Sequence, residues 1–195
     1  MTAAIILAAG SSSRLGQPKQ NLHFQHRTLL QRTIETALIS GCEPVVVVVG
    51  ANSQLVKPFI QDQHIHLVDN PDWEEGMSSS IRIGITALAK FPKVDSSVIL
   101  LCDQPFISSQ LIGDMIRKQK ETGKLIVACN YNHTLGVPAL FHKSFFNVLL
   151  SLTGSDGAKK LLKNHSQEIV IVPFDKGSID IDTPEDYDRL LNSGD

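Results

Sequence analysis

Short, uninterrupted apolar runs alternate along the chain with longer stretches whose apolar residues have helical spacing. Continuous apolar runs are typical of strands covered on both faces, as in a parallel sheet. Their alternation with helices predicts right-handed crossovers and a three-layer α/β/α sandwich with a Rossmann-like, mostly parallel sheet. The predicted strands lie at 3–8, 44–49, 97–101, 125–129 and 168–173, and the predicted helices at 28–40, 53–61, 78–90, 108–121, 143–150, 155–164 and 184–191.

The composition fits one domain that spans residues 1–195. With 42% hydrophobic and 19% charged residues, the chain can bury a core, and it shows no linker, repeat or low-complexity tract. A net charge of −2 argues against a surface that coats nucleic acid. No apolar run approaches the roughly 20 residues that span a bilayer, and the first residues lack the basic region of a signal peptide. We therefore expect a cytoplasmic domain that binds neither nucleic acid nor membrane.

The cysteines and histidines show no metal-site or nucleophile pattern. Cys42, Cys102 and Cys129 lie far apart, in or beside apolar runs, without the spacing of a zinc site. They fit buried thiols in a reducing compartment. The seven histidines are likewise expected to be surface or packing residues.

A loop of small residues follows the first predicted strand. It reads Leu7-Ala8-Ala9-Gly10-Ser11-Ser12-Ser13-Arg14-Leu15-Gly16-Gln17-Pro18-Lys19. Small side chains let backbone N–H groups approach a phosphate chain, and Arg14 and Lys19 add two positive charges. The loop has neither the Gly-Lys-Ser/Thr of a P-loop nor the G-x-G-x-x-G spacing. It predicts a nucleoside triphosphate site, with an ordinary Gly/Ser-rich turn as the alternative.

Acidic residues follow two other predicted strands. In parallel α/β sheets, ligands bind beyond the carboxyl ends of the strands. Asp103 follows the run at 97–101, and Asp180 and Asp182 follow the last run and share one face of an extended segment, with Ile181 opposite. Carboxylates suit Mg²⁺, so Asp103 and Asp182 are candidate ligands of one ion. Alternatively, Asp103 is a turn or helix-start residue, and the other two decorate a loop.

Two further segments precede predicted helices. Thr183-Pro184-Glu185 is typical of a helix start, with a hydroxyl N-cap, proline and an acid in the first turn. Gly76 and the serines after it precede the helix at 78–90, whose N-terminus could bind an anion or the polar edge of a base. The alternative there is an ordinary Ser-capped helix with Trp73 as a packing residue.

Four motifs occur in a fixed order along the chain. They are Leu7-Ala8-Ala9-Gly10-x-Ser12-x-Arg14-Leu15-Gly16-x-x-Lys19, Cys102-Asp103-Gln104-Pro105, Gly136-Val137-Pro138-Ala139-Leu140-Phe141 and Asp180-Ile181-Asp182-Thr183-Pro184-Glu185-Asp186. With these motifs the chain resembles the MobA-like nucleotidyltransferases, most closely their molybdenum cofactor cytidylyltransferase branch. The resemblance covers residues 3–191 and implies the nucleotide-diphospho-sugar transferase type of fold.

The resemblance implies an activity. An enzyme of this branch transfers CMP from CTP to the terminal phosphate of molybdopterin, or of its molybdenum-loaded form, and releases pyrophosphate. In the family, Leu-Ala-Ala-Gly goes with CTP and Leu-Ala-Gly-Gly with GTP, so Ala9 favours CTP. The resemblance also implies Mg²⁺ as cofactor and a molybdoenzyme of the dehydrogenase type as a candidate protein partner.

The resemblance also implies roles for individual residues. Arg14, Lys19 and Asp103 are expected to be catalytic, and Asp103 and Asp182 to coordinate magnesium. The expected nucleotide-binding residues are Leu7, Ala8, Ala9, Gly10, Ser11, Ser12, Arg14, Lys19, Gly76, Ser78 and Ser80. The expected acceptor site contains Gln104, Gly136, Pro138 and Asp180, with Gly136-Val137-Pro138 as a turn that leads into a strand.

The chain departs from the family pattern at two places. Relatives carry Gly-Asp-x-Gly-Ala where this chain has Gly154-Ser155-Asp156-Gly157-Ala158, which puts an acceptor role for Asp156 in doubt. Asn21 stands where leucine is common.

Three alternative functions stay open at this point. One is a cytidylyltransferase for another small phosphate, of the methylerythritol phosphate type, which shares the Ala-Ala-Gly loop and Pro18-Lys19-Gln20. The others are a guanylyltransferase that uses GTP and a non-catalytic protein that hands molybdenum cofactor to a dehydrogenase. The Asp103-Gln104-Pro105 motif argues against the first, and the intact charged residues argue against the last.

Overall fold

A seven-stranded sheet forms the centre of the molecule, as a computed structural model covering residues 1–60, 64–155 and 157–193 describes it. The strands are β1 (Thr2–Ala8), β2 (His23–Phe24), β3 (Arg27–Thr28), β4 (Val45–Val49), β5 (Ile65–Asp69), β6 (Ser96–Leu101), β7 (Ile126–Tyr131), β8 (Thr134–His142) and β9 (Ile169–Pro173). The α-helices are α1 (Leu29–Ile39), α2 (Ser53–Val56), α3 (Met77–Leu88), α4 (Ser109–Thr122), α5 (Phe146–Leu150), α6 (Lys159–Asn164) and α7 (Pro184–Asn192).

The sheet is mostly parallel, as the apolar runs predict. Its strand order is β5-β4-β1-β6-β8-β7-β9, and only β8 runs against its neighbours. Strands β2 and β3 form a separate hairpin. Because β1 and β6 are parallel neighbours in the middle of the sheet, the loops that follow them emerge side by side at one edge.

Two cores explain why the predicted strands read as continuous apolar runs. Along β1, Ala4 and Ile6 pack in a core with residues of α1 and α4, whereas Ile5 and Leu7 pack in a core with residues of α3, α5 and α6. Every position of the strand from Ala3 to Ala8 is therefore buried against a helical layer. The three-layer α/β/α sandwich predicted from the sequence is confirmed.

A third, smaller core ties the C-terminal segment to the first loop. It consists of Leu15, Leu22, Phe24, Leu29, Ile181 and Leu190. Ile181 is fully buried, as its position between two aspartates predicts. The same contacts anchor α7, which begins as predicted with Thr183 as N-cap, Pro184 in the first turn and a capping box to Asp186.

The sequence analysis missed β5, the first part of β8 and the β2–β3 hairpin. Strand β5 is an edge strand with no fully buried position, so its sequence carries no continuous apolar run. The prediction of a turn at Gly136-Val137-Pro138 is wrong, because these residues lie inside β8, where Gly136 pairs with Cys129. The turn lies earlier, at Asn132 and His133, which both have positive φ angles.

Several predicted helices are shorter than expected. The stretch at 53–61 forms α2 and then a 3₁₀ turn at Lys57–Phe59, where Pro58 removes a backbone donor. Residue 61 lies outside the described residues. The stretch at 143–150 likewise begins with a 3₁₀ turn, and α6 begins only at Lys159.

Within the described ranges, no helix has the length and hydrophobicity that crossing a bilayer requires.

We predict that the thiols of Cys42, Cys102 and Cys129 are unreactive in the folded protein. All three are free and buried. Burial raises the pKa of Cys129 to about 12; burial and then the Asp103 carboxylate raise that of Cys102 to about 12, and burial raises that of Cys42 above its usual value. A pKa of 12 lowers the thiolate fraction at pH 8 roughly a thousandfold below that of a free cysteine.

Ellman's reagent measures this directly. It should titrate almost no thiol in the native protein and three after denaturation. Reaction of any one cysteine at the rate of a free thiol would contradict the described packing.

Candidate active site

A cleft with a volume of about 230 Å³ lies where β1 and β6 end. The predicted nucleotide-binding residues Leu7, Ala8, Ala9, Gly10, Lys19, Gly76 and Ser80 line it, together with Asp103. Trp73 and the buried Gln20 line it as well. The first loop and the end of β6, nearly ninety residues apart in sequence, therefore form one site.

Two side-chain amides hold the carbonyl groups of the first loop. Gln20 Nε2 donates to the carbonyl oxygens of Ala8 at 2.8 Å and Gly10 at 3.2 Å. Asn52 Nδ2 donates to those of Gly10 at 3.3 Å and Ser11 at 3.1 Å. Among the described residues, the backbone N–H groups of Gly10 and Ser11 find no acceptor. These N–H groups remain available to an anionic ligand.

Two glycines permit close approach around the cleft. A Cβ atom on Gly50 would lie 2.8 Å from Ala9 Cβ and 2.8 Å from Trp73 Cβ. Gly76 has a φ angle of 110°, and a Cβ there would lie 2.8 Å from Ser155 Cα. A side chain at Gly50 would push Ala9 and Trp73 apart, and one at Gly76 would displace the backbone at Ser155.

An ion-pair network joins four of the predicted residues. The ammonium group of Lys19 contacts Oδ2 of Asp103 and lies 2.9 Å from Oδ1 of Asp182. The guanidinium of Arg14 lies 2.8 Å from Oδ2 of Asp182. The side chains of Lys19 and Asp103 are only 15% and 14% exposed, whereas that of Arg14 is 67% exposed. The network is thus enclosed at Asp103 and open to solvent at Arg14.

Backbone contacts place the members of this network. Ile181 N–H donates to the carbonyl oxygen of Asp103 at 3.1 Å, which sets Asp182 beside the end of β6. Lys19 N–H donates to Ser12 Oγ at 3.0 Å, which fixes the base of the lysine. Because Ile181 is anchored in the third core, the carboxylates on either side of it point away from that core.

Lys19 and Asp182 keep their charges at neutral pH. Burial alone would lower the pKa of Lys19, but the neighbouring Asp103 carboxylate raises it well above its usual value. Burial alone would raise the pKa of Asp182, but Lys19 and Arg14 hold it below its usual value. Asp180 is exposed as a whole residue, but its carboxyl group is partly buried. This burial is the main reason that the pKa of Asp180 is raised to about 6, and repulsion from Asp103 and Asp182 adds to it.

Asp103 and Asp182 fit the requirements of a divalent metal ion. In the part of the chain that the structure describes, no three His, Cys, Asp or Glu side chains form a coordination cluster. The carboxylates of Asp103 and Asp182 converge on the Lys19 ammonium group, and Oδ1 of Asp103 is buried without a hydrogen-bond partner among the described residues. Mg²⁺ is usually bound by only one or two protein carboxylates, and phosphate and water ligands occupy its other positions.

The serines at the start of α3 have different environments. The helix begins at Met77 with Gly76 as its N-cap and has no side-chain cap, so the Ser-capped alternative is wrong. Ser78 is fully buried and does not line the cleft. Ser80 lines the cleft and accepts a hydrogen bond from Asn70 Nδ2 at 2.9 Å.

The expected acceptor residues lie together beside Asp103. Gln104 Nε2 donates to the carbonyl oxygen of Val137 at 3.3 Å, and Val137 stands between Gly136 and Pro138 in β8. Asp180 is close enough to Asp103 for their charges to interact. Asp156 lies outside the described residues.

Three residues of the site escaped the sequence analysis: Gln20, Asn52 and Tyr131. Asn52 comes three residues after the end of β4, so the rule that ligands gather beyond strand ends could have found it. Gln20 and Tyr131 carry no such signal, because their contacts with the loop and with Val137 arise only on folding.

A parallel sheet that presents an amide-lined loop, two cations and two carboxylates at one edge defines an α/β nucleotidyltransferase. The chain belongs to the MobA-like NTP transferase family, whose domain model matches residues 4–169. Enzymes of this family generally use a divalent metal ion.

Relatives with curated names extend over nearly the whole chain. Nicotine blue oxidoreductase of Paenarthrobacter nicotinovorans is 30% identical, covering 96% of this chain and 95% of its own. Purine catabolism protein PucB of Bacillus subtilis is 30% identical, covering 95% of this chain and 94% of its own. Molybdenum cofactor cytidylyltransferase of Escherichia coli is 25% identical, covering 94% of this chain and 92% of its own.

Solved structures show the same architecture. Rv0371c of Mycobacterium tuberculosis H37Rv superimposes with a TM-score of 0.86 at 28% identity and covers 98% of both chains. A complex of Rv0371c with manganese has a TM-score of 0.79 at 27% identity, again with 98% of both chains covered.

We predict that Lys19→Met increases the affinity for Mn²⁺ in the absence of nucleotide. Loss of the ammonium group leaves two carboxylates whose repulsion a dication relieves. A unit charge at 4 Å contributes about 1–4 kcal/mol in water-like to partly buried surroundings, so we expect binding about tenfold tighter or more. Titration of free Mn²⁺ by electron paramagnetic resonance measures it.

Lys57→Met is the matched control, because Lys57 forms an ion pair with Asp69 at 2.9 Å away from this cluster. It should bind Mn²⁺ as the wild type does. If Lys19→Met also binds Mn²⁺ no more tightly than the wild type does, the two carboxylates do not form a cation site.

Proposed function

We propose that the protein is a magnesium-dependent cytidylyltransferase that transfers CMP from CTP to the terminal phosphate of molybdopterin or of its molybdenum-loaded form. The observation that carries this proposal is the Lys19 bridge between Asp103 and Asp182 beside a loop with unengaged N–H groups. The similarity to the Escherichia coli molybdenum cofactor cytidylyltransferase supports the choice of acceptor. The three buried free cysteines agree with a reducing, cytoplasmic setting.

The chain's own groups serve to bind and orient the substrates. The N–H groups of Gly10 and Ser11 are available to donate hydrogen bonds to phosphate oxygens, and Arg14 and Lys19 offset the negative charge of the triphosphate. In-line attack by the acceptor phosphate on the α-phosphate breaks the bond to the β-phosphate, and pyrophosphate leaves. Such a transfer depends on alignment and charge stabilisation, so no protein nucleophile is required.

Asp103 and Asp182 are the residues that would hold Mg²⁺. When bound, the ion supplies Lewis-acid neutralisation of the charge on the phosphate oxygens and the leaving pyrophosphate. Lys19, which contacts both carboxylates, would then give up those contacts and become free to bind phosphate oxygens.

Ala9 supports CTP as the nucleotide. The resemblance links Leu-Ala-Ala-Gly to CTP, and the Ala9 residue lines the cleft beside Trp73. The methyl group of Ala9 packs against Gly50.

The decisive experiment is a matrix of CTP, GTP, ATP and UTP against molybdopterin, methylerythritol phosphate and no acceptor, with Mg²⁺ present. We expect pyrophosphate release with CTP and molybdopterin, and much less with GTP. The reason is that both the loop sequence and the curated relative favour this pair.

Other outcomes identify other functions. Release with GTP and molybdopterin would make the protein a guanylyltransferase, and release only with methylerythritol phosphate would change the acceptor. Tight CTP binding without turnover would favour a cofactor-handover protein. Reduction of nicotine blue, the compound in the name of one relative, is measured in parallel as a contrasting activity.

We predict that Asp103→Asn lowers kcat at least about 100-fold. The substitution removes one carboxylate charge from the cluster, and loss of a charge-stabilising group at a reaction centre typically costs this much. The fold should survive, because an amide of the same shape opens no cavity. Pyrophosphate release measures kcat, and thermal melting tests the fold.

Asp95→Asn is the matched control, because Asp95 precedes β6 as Asp103 follows it and its carboxylate is also ion-paired, with the N-terminal ammonium group and Lys143. It should leave kcat unchanged. A folded Asp103→Asn protein with wild-type kcat would remove Asp103 from the mechanism.

A further inference from the structure

Gln104 is a buried amide whose donors are both engaged. It follows Asp103 directly and is 2% exposed. Its Nε2 donates to the carbonyl oxygens of Gly177 at 2.8 Å and Val137 at 3.3 Å. It therefore connects the end of β6 with β8 and with the segment that leads to Asp182. In the described part of the chain, its Oε1 is buried without a partner.

Tyr131 completes this connection from the end of β7. Its hydroxyl donates to the carbonyl oxygen of Val137 at 3.1 Å, the same oxygen that Gln104 contacts. Its ring meets that of Phe174 edge-on, with centroids 6.4 Å apart. A Cβ atom on either Gly136 or Gly177 would collide with Tyr131. The ring thus lies directly against the backbone of both segments that Gln104 joins.

These contacts act on the position of the two candidate cation ligands. Asp182 lies five residues beyond Gly177, and Ile181 between them donates its N–H to the Asp103 carbonyl. The segment 177–182 is therefore attached to the end of β6 at two points, through the Gln104 side chain and through the Asp103 backbone. If the attachment through the Gln104 side chain is lost, Gly177 is no longer fixed to the end of β6, and the distance between the Asp103 and Asp182 carboxylates is less tightly constrained.

We propose that Gln104 and Tyr131 are positioning residues for nucleotidyl transfer, which hold segment 177–182 against β6 so that Asp103 and Asp182 converge on one cation. This rests on the proposed function in taking these carboxylates as the cation ligands. It also gives Gln104 a different role from the acceptor binding that the family resemblance implies. Both N–H donors of its amide are committed to backbone carbonyls, so they are not free for a substrate.

Gln104→Met tests the proposal, because methionine preserves length and volume and removes both hydrogen bonds. We expect Mn²⁺ binding in the presence of CTP to weaken about 10- to 100-fold, the usual consequence of losing a group that orients a metal ligand. kcat should fall by a similar factor, with little change in the KM for the acceptor. Electron paramagnetic resonance titration and pyrophosphate release measure these quantities.

Gln119→Met is the matched control. Gln119 accepts from Ser96 Oγ at 2.7 Å and donates to the Leu125 carbonyl at 3.5 Å, at the opposite end of β6. Its substitution also removes two side-chain hydrogen bonds, yet it should leave Mn²⁺ affinity and kcat unchanged. Tyr131→Phe keeps the ring and removes one bond, so it should show a smaller loss than Gln104→Met in the same direction and preserves the test if Gln104→Met does not fold.

Three outcomes would overturn the proposal. If Gln104→Met and Gln119→Met lower the melting temperature alike and neither changes Mn²⁺ affinity, Gln104 is only structural. If Gln104→Met raises the acceptor KM alone, Gln104 is an acceptor ligand. If Gln104→Met does not fold and Tyr131→Phe binds Mn²⁺ as the wild type does, the pair does not position the carboxylates.

Failure of the proposed function gives a different result. In that case the wild type releases no pyrophosphate from CTP with any acceptor. Weaker Mn²⁺ binding by Gln104→Met than by Gln119→Met would then still support the positioning role.

Discussion

The site depends on one ammonium group that contacts two carboxylates. Lys19 follows the first strand, Asp103 follows the strand beside it, and Asp182 precedes the last helix. Two aspartates so close together and partly withdrawn from water repel each other, and a partner cation is needed to offset that repulsion. The lysine meets this need in the protein without ligands. A divalent ion bound with a triphosphate can meet it during the reaction, so the same two acids serve the fold and the proposed chemistry.

The packing around this contact is as specific as the contact itself. Ile181 is buried in the third core, and its N–H donates to the carbonyl oxygen of Asp103. These two contacts fix the course of the backbone at 180–182 independently of the charged side chains. Gln104 and Tyr131 hold the same segment from the other side. On the first loop, the amides of Gln20 and Asn52 engage the carbonyls and leave N–H groups available. Side-chain amides that hold backbone carbonyls in this way orient a site without taking part in its chemistry.

Much of the fold was predictable because burial on both faces of a strand leaves a direct trace in sequence. The runs that became β1, β4, β6 and β7 are almost entirely apolar, since helices cover both sides of the sheet there. The run that became β9 is also apolar from Ile169 to Val172, although this edge strand is partly exposed. Strand β5 left no such trace because it has no buried position, and the first part of β8 was missed because Gly136 and Pro138 are turn-like residues. Strand β8 accommodates these two residues because it pairs antiparallel with β6 and with β7. That pairing is a tertiary property that local sequence does not encode.

The sequence by itself determined which residues can carry charge and where strands end, because residue type and hydrophobic period are local properties. It thereby identified Arg14, Lys19, Asp103 and Asp182 as candidates, and the alternation at Asp180-Ile181-Asp182 as a segment with one acidic face. Only the tertiary structure decided that Lys19 lies between two of those acids, that Ser78 is buried away from the cleft, and that the Gln104 amide is committed to backbone carbonyls. The physical reason is that each of these facts is a distance between segments far apart in the chain, set by the packing of three cores around the sheet.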